Sequence, residues 1–322
     1  MKGKIISITV AVALLAALIY VSGPEEIAKA LLRTDVLIAS TASVFWITGL
    51  VVRTERWRFL MRKAGIVVPF RQAAKIYIAS LFLSNVTPGK SGDPIRSVLL
   101  KKTCGDRVSS SLPSVIVERA LDVASMILIG ALGLAFVATT AVSSVIFWFV
   151  GAIVVYIVLF TAVVFTLSSE GRAKWMASKL SGIVSKLPKI KNYTGRMEGF
   201  LINMQKSLSY YGQKKVLLTA FLYSLIIWIL EGAIVYIAFL SLSFQIPFWT
   251  VVTALSVTTL IAVLTFLPGG IGSSEIIIVA FFTSITALTM ADITAVAILA
   301  RVLSYWVYVV LGALFLATMK YK

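Results

Sequence analysis

Glu118, Arg119 and Asp122 stand about ten residues inside an apolar run of membrane-spanning length, roughly 15 Å along a helix; Arg301 stands about eight residues inside another, roughly 12 Å deep. A charge at that depth is costly unless paired or hydrated, so these four mark a polar interior. Glu118 and Asp122 are four apart and share a helical face, whereas Arg119 projects about 100° away. The acids are expected to partner Arg301 or Lys90, which leaves Arg119 to face a ligand. A salt-bridge network that only fixes helix register is the alternative. Glu231, midway along the run 216–243, reads either as a protonated carboxyl hydrogen-bonded in the bundle or as a proton-coupling site.

Two short stretches carry further chemistry. Residues 87–96 read TPGKSGDPIR and residues 267–276 read LPGGIGSSEI. P-G-x-x-G thus occurs twice, as Pro88, Gly89, Lys90, Ser91, Gly92 and as Pro268, Gly269, Gly270, Ile271, Gly272. Asp93 can cap free N–H groups ahead of Pro94, and Ser273, Ser274 and Glu275 can do the same for the second return helix. A half-helix beginning there aims free N–H groups and a positive dipole end at the interior, which makes an anion site, and glycine lets that backbone approach a ligand. Capped structural kinks are the plainer reading. Polar backbone at membrane depth is tolerated mainly where it lines a cavity, which favours the ligand reading.

The residue inventory removes several chemistries. With one cysteine and no histidine, Ser-His-Asp and Cys-His catalysis and an intrachain disulfide are excluded, and zinc or haem is not expected. Cys104 lies beside Lys101, Lys102 and Arg107, which favours a thiolate, yet a lone cysteine in a basic loop is ordinarily incidental. A membrane-embedded enzyme would have to use Asp93, Glu118 or Asp122 as acid or base, without a D-x-x-D cluster for Mg²⁺. No cofactor, metal or catalytic residue is expected.

The elements that must hold these residues are membrane helices. Of 322 residues, 59% are hydrophobic and 13% charged, and the mean hydropathy is +0.98, too apolar for water. Runs of spanning length cover 5–22, 36–52, 109–138, 142–168, 216–243 and 293–318. Lys2 and Lys4 before the first run resemble a signal peptide, but Pro24 just past the would-be cleavage point predicts a retained helix. Loop 53–75 carries Arg53, Arg56, Arg58, Arg62, Lys63, Arg71 and Lys75, and loop 171–215 carries ten basic residues against Glu198. Both loops and both termini are therefore expected in the cytoplasm. The formal charge of +17 is then a sidedness signal and a match to anionic inner-leaflet lipid; nucleic acid is not an expected partner.

Segment 90–107 is basic too, yet a single apolar run separates it from the 53–75 loop. Re-entry resolves the conflict: 76–86 enters, Pro88-Gly89 turns the chain, and 94–102 returns to the same side. The same device from the opposite face fits 250–289. The predicted fold is an all-α polytopic membrane protein with six spanning helices plus two oppositely oriented re-entrant helical hairpins in an inverted repeat; eight spans is the alternative. One integral membrane domain covers 1–322, with repeat A about 36–138, repeat B about 216–318 and a basic amphipathic cytoplasmic linker over 169–215. Arg119 follows Pro88 by 31 residues and Arg301 follows Pro268 by 33. Each half reads as span, broken hairpin and Arg-bearing span, the architecture that builds a substrate site near the midplane.

Taken together, N-x-x-P-G-x-x-G-[DE]-x-x-R at Asn85–Arg96, E-R-x-x-D at Glu118–Asp122, P-G-G-x-G-x-x-E at Pro268–Glu275 and the late Arg301 resemble a known family. It is the flippase-like membrane domain of lysylphosphatidylglycerol synthetases and its stand-alone relatives, matched over about 36–318. Asp93 stands where most members are expected to carry Glu. The resemblance implies movement of an anionic or zwitterionic phospholipid, or of a lipid-linked headgroup, between leaflets of the cell membrane. A phosphate is expected near Ser91, Gly92 and Ser273, with bidentate support from Arg119 and Arg301. Asn85, Arg96, Gly269, Gly270, Gly272 and Glu275 complete the expected binding set. An enzyme acting on lipid-linked phosphate or sugar and a small-anion transporter are the alternatives.

Overall fold

The computed structural model describes residues 2–87, 91–104, 108–137, 143–167, 202–208 and 210–319, with scattered positions between 169 and 179. The Pro88-Gly89-Lys90 tip and residues 180–201 of the linker lie outside the described residues. Every regular element among the described residues is helical, and the chain is a multi-pass membrane protein.

Helix α1 (Lys2–Ser22) ends at Gly23, whose φ of 88° turns the chain by 85° into α2 (Pro24–Leu32). Gly23 takes the left-handed conformation and Pro24 starts a helix without needing its N–H. A short α3 (Val36–Ser40) is capped by Asp35, whose Oδ1 accepts from the Leu37 and Ile38 N–H groups at 2.9 and 3.0 Å. Helix α4 (Ala42–Lys63) follows, and Val36–Lys63 is long and apolar enough to cross a hydrocarbon core. This corrects the predicted span of 36–52. No breaker interrupts the chain before Gly65, at φ 77°, so the helix carries Arg53 and Arg56 inside instead of releasing them into a loop.

The first broken hairpin is α5 (Phe70–Asn85) and α6 (Ile95–Cys104); the second is α10 (Phe248–Val263) and α11 (Ser273–Ile285). Their arms pack on one another and are 16, 10, 16 and 13 residues long. At the helical rise the longest reaches about 24 Å, less than the roughly 30 Å of hydrocarbon. Between the hairpins come α7 (Val108–Val137), α8 (Ser143–Leu167) and α9 (Lys214–Ser241). The chain closes with α12 (Met290–Arg301), a π-helical turn (Val302–Trp306) and α13 (Val307–Thr318). Lys214–Ser241 and Met290–Thr318 are also apolar and long enough to span, and α1 with α2 forms a further candidate if the bent pair is one span.

The helices pair reciprocally between the two halves. Helix α4 lies along α9, α5 lies along α13, and α10 lies along α7. Glycines permit these crossings. A Cβ on Gly312 of α13 would meet Phe82 Cβ at 2.6 Å and the Ile78 carbonyl oxygen at 2.7 Å on α5. One on Gly133 of α7 would lie 1.7 Å from Thr253 Oγ1 on α10. Within lipid the tails are as apolar as the helices, so close backbone approach of this kind is a main source of association. One apolar cluster, including Phe239, Phe281 and Phe282, fills the second half; another, around Trp57, Tyr77 and Leu100, lies under the first hairpin.

Candidate functional site

A cavity of about 210 Å³ opens where the two hairpins meet α4, α7, α9 and the last span. Its charged wall residues, among those described, are Arg53, Asp93, Arg119, Glu231, Glu275 and Arg301. Asn85, Gly269, Gly270 and Ser274 line it as well. Asp93, beside the first turn, and Gly269, Gly270, Ser274 and Glu275 of the second thus share one wall.

Each return helix carries a carboxylate at its start, and each carboxylate meets an arginine of its own half. Arg119 Nε lies 3.4 Å from Asp93 Oδ2. Arg301 Nε lies 2.7 Å from Glu275 Oε1, while its two terminal nitrogens donate to the Gly269 and Gly270 carbonyls at 2.8 and 3.2 Å and to Ser274 Oγ. Glu275 Oε2 accepts from the Gly272 N–H at 2.8 Å and from Ser274 Oγ at 3.0 Å. This alters the anion-site expectation. The protein's own carboxylate already satisfies the N–H group and the dipole at the second helix start.

The glycines also differ from expectation. A Cβ on Gly92 would lie 2.3 Å from the Leu83 carbonyl oxygen, and the Gly92 N–H donates to Thr87 Oγ1 at 2.7 Å, so this glycine closes the hairpin. Gly272, at φ 82°, packs on α1, where a Cβ would meet Leu14 Cβ at 2.7 Å. Gly269 and Gly270, at φ 58° and 64°, remain in the cavity wall and present carbonyls to Arg301. Gly272 and Ser273 do not line the cavity; the Ser273 hydroxyl donates to the Gly270 carbonyl and meets Thr265 Oγ1, both at 3.1 Å. Ser91 is exposed and likewise not in the wall.

Glu118 and Asp122 do not partner Arg301. They face Arg56, fully buried on α4, whose Nε donates to Glu118 Oε1 at 3.2 Å and whose Nη1 donates to Asp122 Oδ1 and to Ser224 Oγ, the last at 2.6 Å. Arg96 Nη2 lies 2.7 Å from Glu118 Oε2, and its guanidinium stacks 4.3 Å from the Tyr77 ring centre and 5.1 Å from that of Trp57. Asp122 Oδ2 also reaches Arg119 at 3.1 Å. Glu118, Asp122 and Arg96 therefore form a dry layer behind the cavity, and Asp122 joins that layer to Arg119. Two acids so deep must be paired, and Arg56, together with Arg96 for Glu118 and Arg119 for Asp122, supplies the partners.

Glu231 is ion-paired. Arg53 Nη2 donates to its Oε1 at 2.5 Å and Tyr308 OH donates to the same oxygen at 2.8 Å. Tyr305 OH donates to the Asn85 carbonyl at 3.2 Å, tying the last span to the first hairpin. Sequence reasoning missed Arg53, Arg56, Tyr305 and Tyr308. The available signal for the arginines was the unbroken helical run to Lys63.

Residues 5–312 match the family model of the lysylphosphatidylglycerol synthase TM region. The chain belongs to that family. It is 26% identical over 327 residues to a UPF0104 membrane protein of Methanothermobacter thermautotrophicus, covering 97% of this chain and 94% of that one. A UPF0104 membrane protein of Pyrococcus horikoshii is 26% identical over 326 residues, with 97% and 96% covered. The chain is also similar to glycosyltransferase AglD of Haloferax volcanii, 25% identical over 311 residues, which are 86% of this chain and 48% of that protein. The matched stretch includes both hairpins and Arg119 and Arg301.

Proposed function

We propose that the protein is a flippase-like lipid transporter that carries a phospholipid or lipid-linked headgroup between leaflets. The observation that carries this reading is the cavity, where three arginines from both halves meet beside Asp93 and the Gly269–Gly270 turn of a membrane protein. Arginine suits phosphate because its planar fork offers parallel donors. A cavity of about 210 Å³ suits a headgroup and leaves acyl tails in the bilayer. The short hairpin arms favour six spans with two re-entrant hairpins over eight spans. The reciprocal pairing of the halves supports an inverted repeat that rocks about the site. In this reading both termini and the 169–215 linker are cytoplasmic, the linker resting on anionic lipid.

The test is reconstitution of the purified chain with labelled phospholipids. Leaflet exchange that is lost in Arg119→Ala supports the flippase. The similarity to a protein named a glycosyltransferase favours one second reading, an enzyme acting on lipid-linked sugar or phosphate; chemically altered lipid in the same assay would establish it. Exchange of a small anion without lipid would instead identify an anion transporter.

A further inference from the structure

Among the described residues, the charges in the cavity wall cancel. Arg53, Arg119 and Arg301 stand against Asp93, Glu231 and Glu275. The layer behind adds Arg56 and Arg96 against Glu118 and Asp122. A site built for a bare phosphate would hold its arginines uncancelled. Here an entering anion would leave uncompensated negative charge in a low-dielectric interior, whereas a headgroup that brings its own cation would not.

The three wall pairs are not equivalent. Arg301 and Glu275 are locked by further bonds to Gly269, Gly270, Gly272 and Ser274. Arg119 is the most open of the three arginines, its side chain 30% exposed, and its Nε has no hydrogen-bond partner despite lying 3.4 Å from Asp93. Glu231 is the most open of the three carboxylates, at 16%. Trp228 lies one turn before it on α9, Tyr308 donates to it, and both rings line the cavity. Arg53 Nε and Thr258 Oγ1, in the same wall, are buried without a hydrogen-bond partner. The wall therefore offers a partly exposed guanidinium, held by Asp122 and by a long contact to Asp93, and, elsewhere, an acid beside aromatic rings, which is a setting for an ammonium.

We propose that the cavity selects a zwitterionic phospholipid headgroup, with its phosphate on Arg119 and its ammonium on Glu231. This rests on the lipid-translocation reading and narrows it. The phosphate takes Arg119 from Asp93, the ammonium joins Arg53 and Tyr308 around Glu231, and the total charge of the site is unchanged by loading. The free Arg53 Nε and Thr258 hydroxyl are donors for the remaining headgroup oxygens.

The full chain is reconstituted into phosphatidylcholine vesicles holding a trace of tail-labelled phosphatidylethanolamine or phosphatidylglycerol, and exchange is read by quenching the outer-leaflet label. The ethanolamine lipid is expected to exchange at least about tenfold faster than the glycerol lipid. Glu231→Gln is expected to slow the ethanolamine lipid by about tenfold and the glycerol lipid less, so that the ratio collapses. Asp93→Asn removes the one of Arg119's two acid partners that lies in the cavity wall, leaves the described wall with an excess positive charge, and should move the ratio toward the glycerol lipid. This second variant keeps the test alive if the first does not fold. Equal rates for the two lipids in the unaltered protein, or variants that slow both lipids alike, overturn the zwitterion assignment and leave translocation standing. Exchange of neither lipid removes translocation and this inference together.

Discussion

Arg56 and Arg119 share one carboxylate, Asp122, in unlike surroundings. Arg56 is fully buried and holds Glu118, Asp122 and Ser224 at once. Its loss strands acids in a dry interior, so Arg56→Ala is expected to destabilise the fold by about 3–5 kcal/mol, read as a lower unfolding midpoint in detergent. Arg119 is partly exposed to the cavity, and Asp122 keeps Arg56 when Arg119 is removed. Arg119→Ala strands Asp93 alone, at the edge of the cavity, and is therefore expected to lose less stability than Arg56→Ala, about 1–2 kcal/mol, while abolishing lipid exchange. Near-equal melting losses for the two variants would show that Arg119 is also scaffolding. Arg96 poses a third case, because its guanidinium lies against Tyr77 and Trp57. Arg96→Lys keeps the charge and loses the planar face, with an expected loss of about 1–2 kcal/mol in the same melt.

At the scale of elements, the hairpins were legible because proline and glycine punctuate them, and the Arg-bearing spans because charge inside an apolar run is conspicuous. The inner half of α4 was not legible. Arg53 and Arg56 read as the start of a basic loop, since the acids that neutralise them lie 178 and 62–66 residues away in sequence. Local pattern cannot distinguish a solvated arginine from one paired at such range; only the absence of a breaker before Gly65 pointed inward. The helix crossings hid for the same reason, because a glycine in a membrane span shows its partner only after packing. Gly312 is the sharpest case, with Phe82 and the Ile78 carbonyl where a Cβ would go. Gly312→Ala is expected to push α13 off α5 and to lower stability by about 1–3 kcal/mol. Gly151 has nothing within 4 Å of a Cβ, so Gly151→Ala should be neutral or stabilising by up to about 1 kcal/mol through helix propensity. Thermal melts of the two variants compare a close crossing with an open helix face, and equal shifts would argue against the α5–α13 contact.

At the scale of the molecule, the helices of the two halves pair reciprocally, as in any two-fold repeat, and the proposed inverted form of that repeat makes a separate prediction. First helix meets first helix, and the leading hairpin arm of each half lies along the last span of the other. In an inverted repeat those equivalent pairs lie at opposite depths, so the two hairpins must open to opposite sides. Their return arms then emerge on different faces, which a labelling experiment can read. In a Cys104→Ser background, a cysteine at Lys101, an exposed position in the last turn of the first hairpin's return arm, should react with an impermeant maleimide only from the cytoplasm. A cysteine at Met290, which is 37% exposed just past the second return arm, should react only from outside. The ten residues of α6 rise about 15 Å, too little to carry Lys101 across the hydrocarbon. Labelling of position 101 from outside would therefore mean that α5 crosses completely, which places the 91–104 segment on the far face. The positive charges on the two sides of α5 would then be split across the membrane, and the two tips could not share one cavity wall. Labelling from the cytoplasm agrees with Asp93 and Glu275 sharing one cavity wall, the arrangement on which the proposed translocation depends.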